Sequence, residues 1–218
     1  KTLRQNEGQD ITDVGESSSV EKSITTLSLV NKNEEKKDKS TCIIQLLKIH
    51  LDKTSGDVEN AIELIIRKFD EANQNEFYPL VRDLLRYIGF NCMTSRAGVN
   101  YQRWDAFIHD DIESIPIEIK SPGEEECLSV KAIRQALENK VILLSRKSAK
   151  TLLETTSLAI GFKYPNNRSD VVSLINDIKI TFGTTIGIID FHTLLSLAYK
   201  SMIDGKYPKK EIFNRLYG

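Results

Sequence analysis

Ile115-Pro116-Ile117-Glu118-Ile119-Lys120-Ser121 is the stretch whose reading decides the fold. Its isoleucines favour a strand, because a side chain branched at Cβ packs well on a pleated surface. The two-residue period puts Ile117 and Ile119 on one face and Glu118 and Lys120 on the other. An acid and a lysine inside an Ile-rich strand are costly to bury unless they pair or bind a metal. Something must compensate them.

The residues upstream supply a partner. Arg103-Trp104-Asp105-Ala106-Phe107-Ile108 opens a second strand candidate over 104–109, and residues 106–117 between Asp105 and Glu118 suit a hairpin. Convergence of Asp105 and Glu118 makes a hard anionic cup that prefers Mg²⁺ or Mn²⁺ to zinc, since no imidazole or thiolate is nearby. Lys120 then sits beside the metal, able to orient and help deprotonate a water. A metal with a positioned water attacks phosphate esters. Arg96 and Arg103 flank Asp105 and are candidate phosphate donors, with surface salt bridges as their plainer reading.

Farther out, the periods predict an α/β fold with a mixed central β-sheet flanked by helices and an N-terminal helical segment. Helices are expected over 76–87, closed by Gly89, and over 129–144, 170–177, 191–202 and 209–216. Strands are expected over 104–109, 115–119, 158–162 and 185–190. Apolar residues at helical spacing over 43–51 and 62–69, with Thr54-Ser55-Gly56 between them, read as an N-terminal helical hairpin or helical linker over 41–75, either a wall of the main domain or a remnant of another domain upstream. Residues 1–40 are polar and include the run Asn33-Glu34-Glu35-Lys36-Lys37-Asp38-Lys39, so they read as a flexible tether. The eight Phe, seven Tyr and single Trp all lie at or after Phe69, which places the core downstream, in a main domain over 76–218.

Composition excludes several classes. At 218 residues, 40% hydrophobic and 28% charged, the chain is neither fibrous nor wholly disordered. No run approaches the roughly 18 apolar residues of a membrane span. A net charge of −1 supplies no global field toward nucleic acid or anionic lipid, so such contacts need a local patch. Cys42, Cys92 and Cys127 match neither a disulfide framework nor zinc-ligand spacing and read as reduced thiols of a cytosolic protein. The chain begins at Lys1 rather than Met and is expected to be a piece of a longer one. His50, His109 and His192 have no second ligand at metal spacing, and Glu124-Glu125-Glu126 reads as a solvated loop facing away from any nucleic acid.

Asp105 followed by Glu118-Ile119-Lys120 on a hydrophobic strand resembles the active-site signature of the PD-(D/E)XK nuclease superfamily. The run Ile117 to Pro122 and the following helix with Ala132-Ile133-Arg134-Gln135-Ala136-Leu137-Glu138-Asn139 are most similar to cleavage domains of type IIS restriction endonucleases of the FokI and AlwI kind. The likeness covers roughly residues 70–218, and Trp104 stands where the signature has proline. It implies a restriction-endonuclease-like fold, metal ligands at Asp105 and Glu118, and a catalytic lysine at Lys120. It also implies an acidic residue from the first helix, for which Glu76 is favoured over Asp83, and a phosphate-side glutamine at Gln135. Both have plainer readings, Glu76 as a helix-start carboxylate and Gln135 as an exposed helix residue.

The function so implied is a Mg²⁺-dependent type II, type IIS-like site-specific deoxyribonuclease of a bacterial restriction-modification system, acting on double-stranded DNA, with Mn²⁺ as a substitute. Nothing in the chain reads base sequence, so recognition is expected in another domain or subunit, and a double-strand cut implies a transient homodimer on DNA or a partner subunit. Lys131, Arg134, Glu138 and Lys140 are the charges expected on the exposed face of the 129–144 helix at such an interface. The alternatives are a structure-selective repair or transposition nuclease, and a catalytically inert nuclease-fold interaction module.

Overall fold

Short polar residues stand directly before the apolar periodic runs, and in the computed structural model they start the helices. Asp57 accepts from Asn60 N at 3.0 Å, Ser129 from Ala132 N at 3.4 Å and Asp190 from Thr193 N at 2.9 Å. Each satisfies a backbone donor that the first turn leaves unpaired. The structure describes residues 42–95, 104–109, 114–146, 151–154 and 156–205, all in one unit that begins at Ser40. The tether over 1–40 and the closing helix over 209–216 lie outside the described residues.

The fold is α/β, and the described residues form a mixed five-stranded central sheet flanked by six helices. Helix α1 covers 42–53, followed by α2 (Val58–Lys68) and α3 (Gln74–Tyr87). Then come β1 (Cys92–Thr94), β2 (Ala106–His109), β3 (Ser114–Lys120), α4 (Val130–Leu144), β4 (Ser157–Gly161), α5 (Val171–Phe182), β5 (Ile186–Asp190) and α6 (Phe191–Asp204). Strand order follows chain order, with β1, β2 and β3 antiparallel and β3, β4 and β5 parallel. Strand β3 is therefore central, and all seven of its residues are buried.

Each sheet face has its own core. Ile115, Ile117 and Ile119 of β3 join Leu158 and Ile160 of β4 in a core shared with α1, α2, α3 and α6. Ala159 of β4 and Ile186 of β5 join Ala132, Ile133 and Ala136 of α4 and Ile178 of α5 on the other side. Phe77, Phe162 and Phe191 form an aromatic cluster in the first core, with ring centroids 5.2–6.1 Å apart. Pairs at such separations contribute about 0.5–1.5 kcal/mol each beyond burial. The hairpin of α1 and α2 belongs to that core too, since Tyr199 of α6 donates its hydroxyl to the Leu47 carbonyl at 2.9 Å.

Several boundaries differ from the sequence reading, the largest shift being that of α5, which runs on to Phe182 instead of stopping at 177. Helix α3 starts at Gln74, because Asn73 caps it. At its other end Gly89, at φ 108°, ends the helix and lets Phe90 N reach the Leu85 carbonyl at 3.0 Å. Strand β1 was not anticipated, since three residues carry no readable period. Trp104 and Asp105 bend ahead of β2, which begins at Ala106. No helix among the described residues is long and apolar enough to cross a membrane.

Candidate active site

The two-residue period of β3 turns Glu118 and Lys120 toward the α4 side, away from Ile117 and Ile119. Ala106 pairs with Ile117, so continuing the antiparallel register by one residue sets Asp105 opposite Glu118 on that same face. The Asp105 N–H donates to the Ile117 carbonyl at 3.1 Å, and its Oδ2 accepts the Ile119 N–H at 2.8 Å. The carboxylate is thereby oriented at the C-terminal end of β3. In the parallel direction Glu118 lies beside Ala159 and Lys120 beside Gly161. A Cβ on Gly161 would stand 2.5 Å from Leu128 Cγ, so only glycine admits Leu128 there.

Burial forces these polar groups to find partners, and they do. Glu118 is 3% exposed and Lys120 6%. Lys120 Nζ lies 2.8 Å from Glu118 Oε1, while Asn139 of α4 donates to Glu118 Oε2 at 2.7 Å. Glu124, in the turn after β3, lies 3.9 Å from Lys120 Nζ. The network compensates the charged strand much as the sequence demanded, with two additional members.

Electrostatics distinguishes the groups. Burial, then the Glu118 charge, pushes the Asp105 carboxyl up to about 7, against the Ile119 hydrogen bond and Lys120. Burial likewise raises Glu118, opposed by Lys120 and Asn139. Burial works against the Lys120 ammonium, but Glu118, Glu124 and Asp105 together hold its pKa above the ordinary value. Burial works against the Glu124 carboxylate too, yet its donors at Ser121, Gln74 and Tyr78 bring it below the usual range. The Tyr78 hydroxyl is held far above its ordinary range by burial, then by Asp105 and Glu124. Two like charges that resist joint ionisation are a site that a cation would relieve.

These groups line a polar cleft of about 360 Å³, together with Gln74, Gln135 and Glu138. Gln135 is half-buried in the cleft lining rather than an exposed helix residue. Its Oε1 is buried with no hydrogen-bond partner among the described residues. Glu76 does not line the cleft. It is exposed and completes a capping box, its Oε2 accepting from Asn73 N at 3.3 Å and Asn73 Nδ2 at 3.1 Å. Arg96 and Arg103 lie outside the described residues.

Two further expectations are corrected. Glu124 remains an exposed residue, but its carboxylate turns back toward the site rather than away from it, because Ser121, Gln74 and Tyr78 all donate to it. Lys140 is not on the exposed face of α4; it is fully buried and donates to Thr151 Oγ1 at 2.7 Å, while Lys131, Arg134 and Glu138 are exposed. Sequence reasoning missed Asn139, Glu124, Tyr78 and Gln74. Asn139 carried a signal, since it follows Gln135 by four residues and so shares its helical face.

Among the described residues no cluster of three or more His, Cys, Asp or Glu is arranged to hold a metal. The two opposed carboxylates nevertheless fit Mg²⁺, which takes one or two protein carboxylates and completes its shell with water and substrate phosphate. No family model, curated protein or solved structure matches the chain.

Proposed function

We propose that this protein is a Mg²⁺-dependent DNA endonuclease, the cleavage domain or subunit of a type II, type IIS-like restriction enzyme. The observation that carries the reading is the register that sets Asp105 opposite Glu118, with Lys120 on the same strand face and all three at one polar cleft. Carboxylate oxygens beside a fixed ammonium suit attack on a phosphodiester. Resemblance to the PD-(D/E)XK signature adds the substrate class, double-stranded DNA, and products with 5′-phosphate and 3′-hydroxyl ends.

Asp105 and Glu118 would hold the metal, with Mn²⁺ as a substitute. Bound there, Mg²⁺ supplies a Lewis acid for a phosphoryl oxygen and acidifies its water. Ile119 N–H and Asn139 keep the two carboxylates in orientation before substrate arrives. Lys120, kept as an ammonium by Glu118 and Glu124, donates to the attacking water or to a phosphate oxygen at the moment charge develops. The unpartnered Gln135 Oε1 supports a substrate-side role for that residue, as an acceptor of a hydrogen bond from DNA or its hydration shell. Base-sequence recognition is assigned to another domain or subunit, and the double-strand cut to a transient homodimer on DNA or a partner subunit.

The test is incubation of supercoiled, mixed-sequence plasmid with the protein and Mg²⁺ or Mn²⁺, followed by sequencing of the ends. Metal-dependent cleavage with 5′-phosphate ends, lost in Asp105→Asn, is expected. No cleavage with either metal, or cleavage indifferent to Asp105→Asn, overturns the reading. A rate of double-strand cutting near second order in protein is expected of a homodimer.

A further inference from the structure

Lys120 lies between two carboxylates, 2.8 Å from Glu118 Oε1 and 3.9 Å from Glu124 Oε1. The second of these is held by an unusual number of donors for a residue in a turn. Ser121 gives its N–H at 3.0 Å and its Oγ at 2.9 Å to Glu124 Oε2, to which the Tyr78 hydroxyl also donates at 3.0 Å. Gln74 Nε2 donates to Oε1 at 2.6 Å. Ser121 directly follows β3, while Gln74 and Tyr78 lie in the first turns of α3. The carboxylate is thus locked by two segments far apart in sequence. Four such donors occupy most of a carboxylate's acceptor capacity, and what remains of Oε1 lies toward the Lys120 ammonium.

Glu118 cannot serve two cations equally. A divalent ion on its carboxylate and an ammonium 2.8 Å from the same group repel each other in a poorly solvated place. Glu124 offers the ammonium a second seat within about one ångström of further travel, at a group whose own donors keep it ionised. Resting on the metal-site reading above, we propose that Glu124 is a positioning residue for Lys120, receiving its ammonium when a divalent cation takes over the charge of Glu118. Gln74 and Tyr78 set Glu124 in place. The N-terminal turns of α3 thereby help to set the position of Lys120.

Calorimetric titration of Mn²⁺ into the full chain, without DNA, tests this in four proteins: wild type, Glu124→Gln, Lys120→Met and the double variant. Glu124→Gln is expected to weaken Mn²⁺ binding roughly tenfold in the wild-type background, as loss of an outer-shell partner does. In the Lys120→Met background, with no ammonium left to seat, the same change is expected to cost less than about twofold. Equal losses in both backgrounds would show Glu124 acting only as a nearby negative charge and overturn the proposal. No loss in the wild-type background overturns it as well. Should Glu124→Gln fail to fold, Tyr78→Phe carries the same comparison, with a smaller expected loss that again depends on Lys120. Plasmid cleavage is read separately: coupling without cleavage retains the positioning role and discards the nuclease reading, cleavage without coupling does the reverse, and wild type that binds no Mn²⁺ overturns both.

Discussion

The carboxylate of Asp105 accepts the backbone N–H of Ile119 at 2.8 Å, so that a side chain prolongs the β2–β3 ladder one residue before β2 begins. A backbone carbonyl would satisfy that N–H equally well, but it would place no charge opposite Glu118. The position therefore joins strand pairing to the chemistry of the cleft, and the behaviour of the variants follows from it.

Lys120→Ala removes the only cation among the described residues that line the cleft. Glu118 is left buried with Asn139 as its remaining donor, and breaking a buried pair from one side costs about 3–5 kcal/mol. Plasmid cleavage is expected to fall by about 10²–10⁴-fold, and urea unfolding at pH 7 to show a loss at the low end of that range. A variant with full activity and unchanged stability would remove Lys120 from the site.

The pH dependence of stability has a definite sign. Asp105 titrates at about 7 in the folded protein and at 3.8 when unfolded, so between those values the folded state binds more protons. Stability from this group is full below about pH 4 and is lost as pH rises through 7. Glu118, also raised, adds to the same slope. In chelator, the unfolding free energy is expected to drop by about 2 kcal/mol between pH 4 and pH 8 on this account, a figure set below the full shift because Asp105 is partly exposed. Asp105→Asn should flatten the slope and be the more stable protein at pH 8. Mn²⁺ should restore wild type there and leave the variant unmoved. A wild-type curve that rises from pH 5 to pH 8 by differential scanning calorimetry, with no difference from Asp105→Asn, contradicts this account.

Glu76→Gln separates capping from catalysis. The amide can still accept from Asn73, so the helix start is weakened by about 0.5–1 kcal/mol at most. Cleavage rate is expected to stay within twofold of wild type. A hundredfold loss of kcat with unchanged stability would return Glu76 to the site.

Gly161→Ala tests the packing beside Lys120. Its new Cβ would meet Leu128 Cγ at 2.5 Å, and Leu128 is 1% exposed, with little freedom to retreat. Overpacking of this kind costs about 1–3 kcal/mol. In a Leu128→Ala background the same substitution should cost much less, because it fills space that the truncation leaves. Additive losses in urea denaturation of the single and double variants would show that the two positions do not meet.

Much of the fold was legible because its long elements carry clear periods, the apolar stripes of α3 and α4 above all. Strand β1 was illegible because three residues show no period, and antiparallel pairing with β2 alone makes them a strand. Lys140 was misread from its charge, although its spacing of seven from Ile133 and four from Ala136 puts it on the buried stripe of α4.

By itself the sequence determined the opposition of Ile117 and Ile119 to Glu118 and Lys120, because a two-residue period belongs to any strand whatever surrounds it. It determined the hairpin distance from Asp105 to Glu118 for the same local reason. Only the tertiary structure decided which groups compensate the buried charges: Asn139 on α4, Glu124 in the turn after β3, and Tyr78 and Gln74 on α3. Those partners lie far apart along the chain, up to 50 residues in the case of Gln74 and Glu124. Hydrogen bonds over such separations are set by how helices pack on the sheet, and no local pattern of residue types encodes that docking. The same cause took Glu76 out of the cleft, since the turn of α3 on which a carboxylate faces the sheet depends on the rotation of the docked helix.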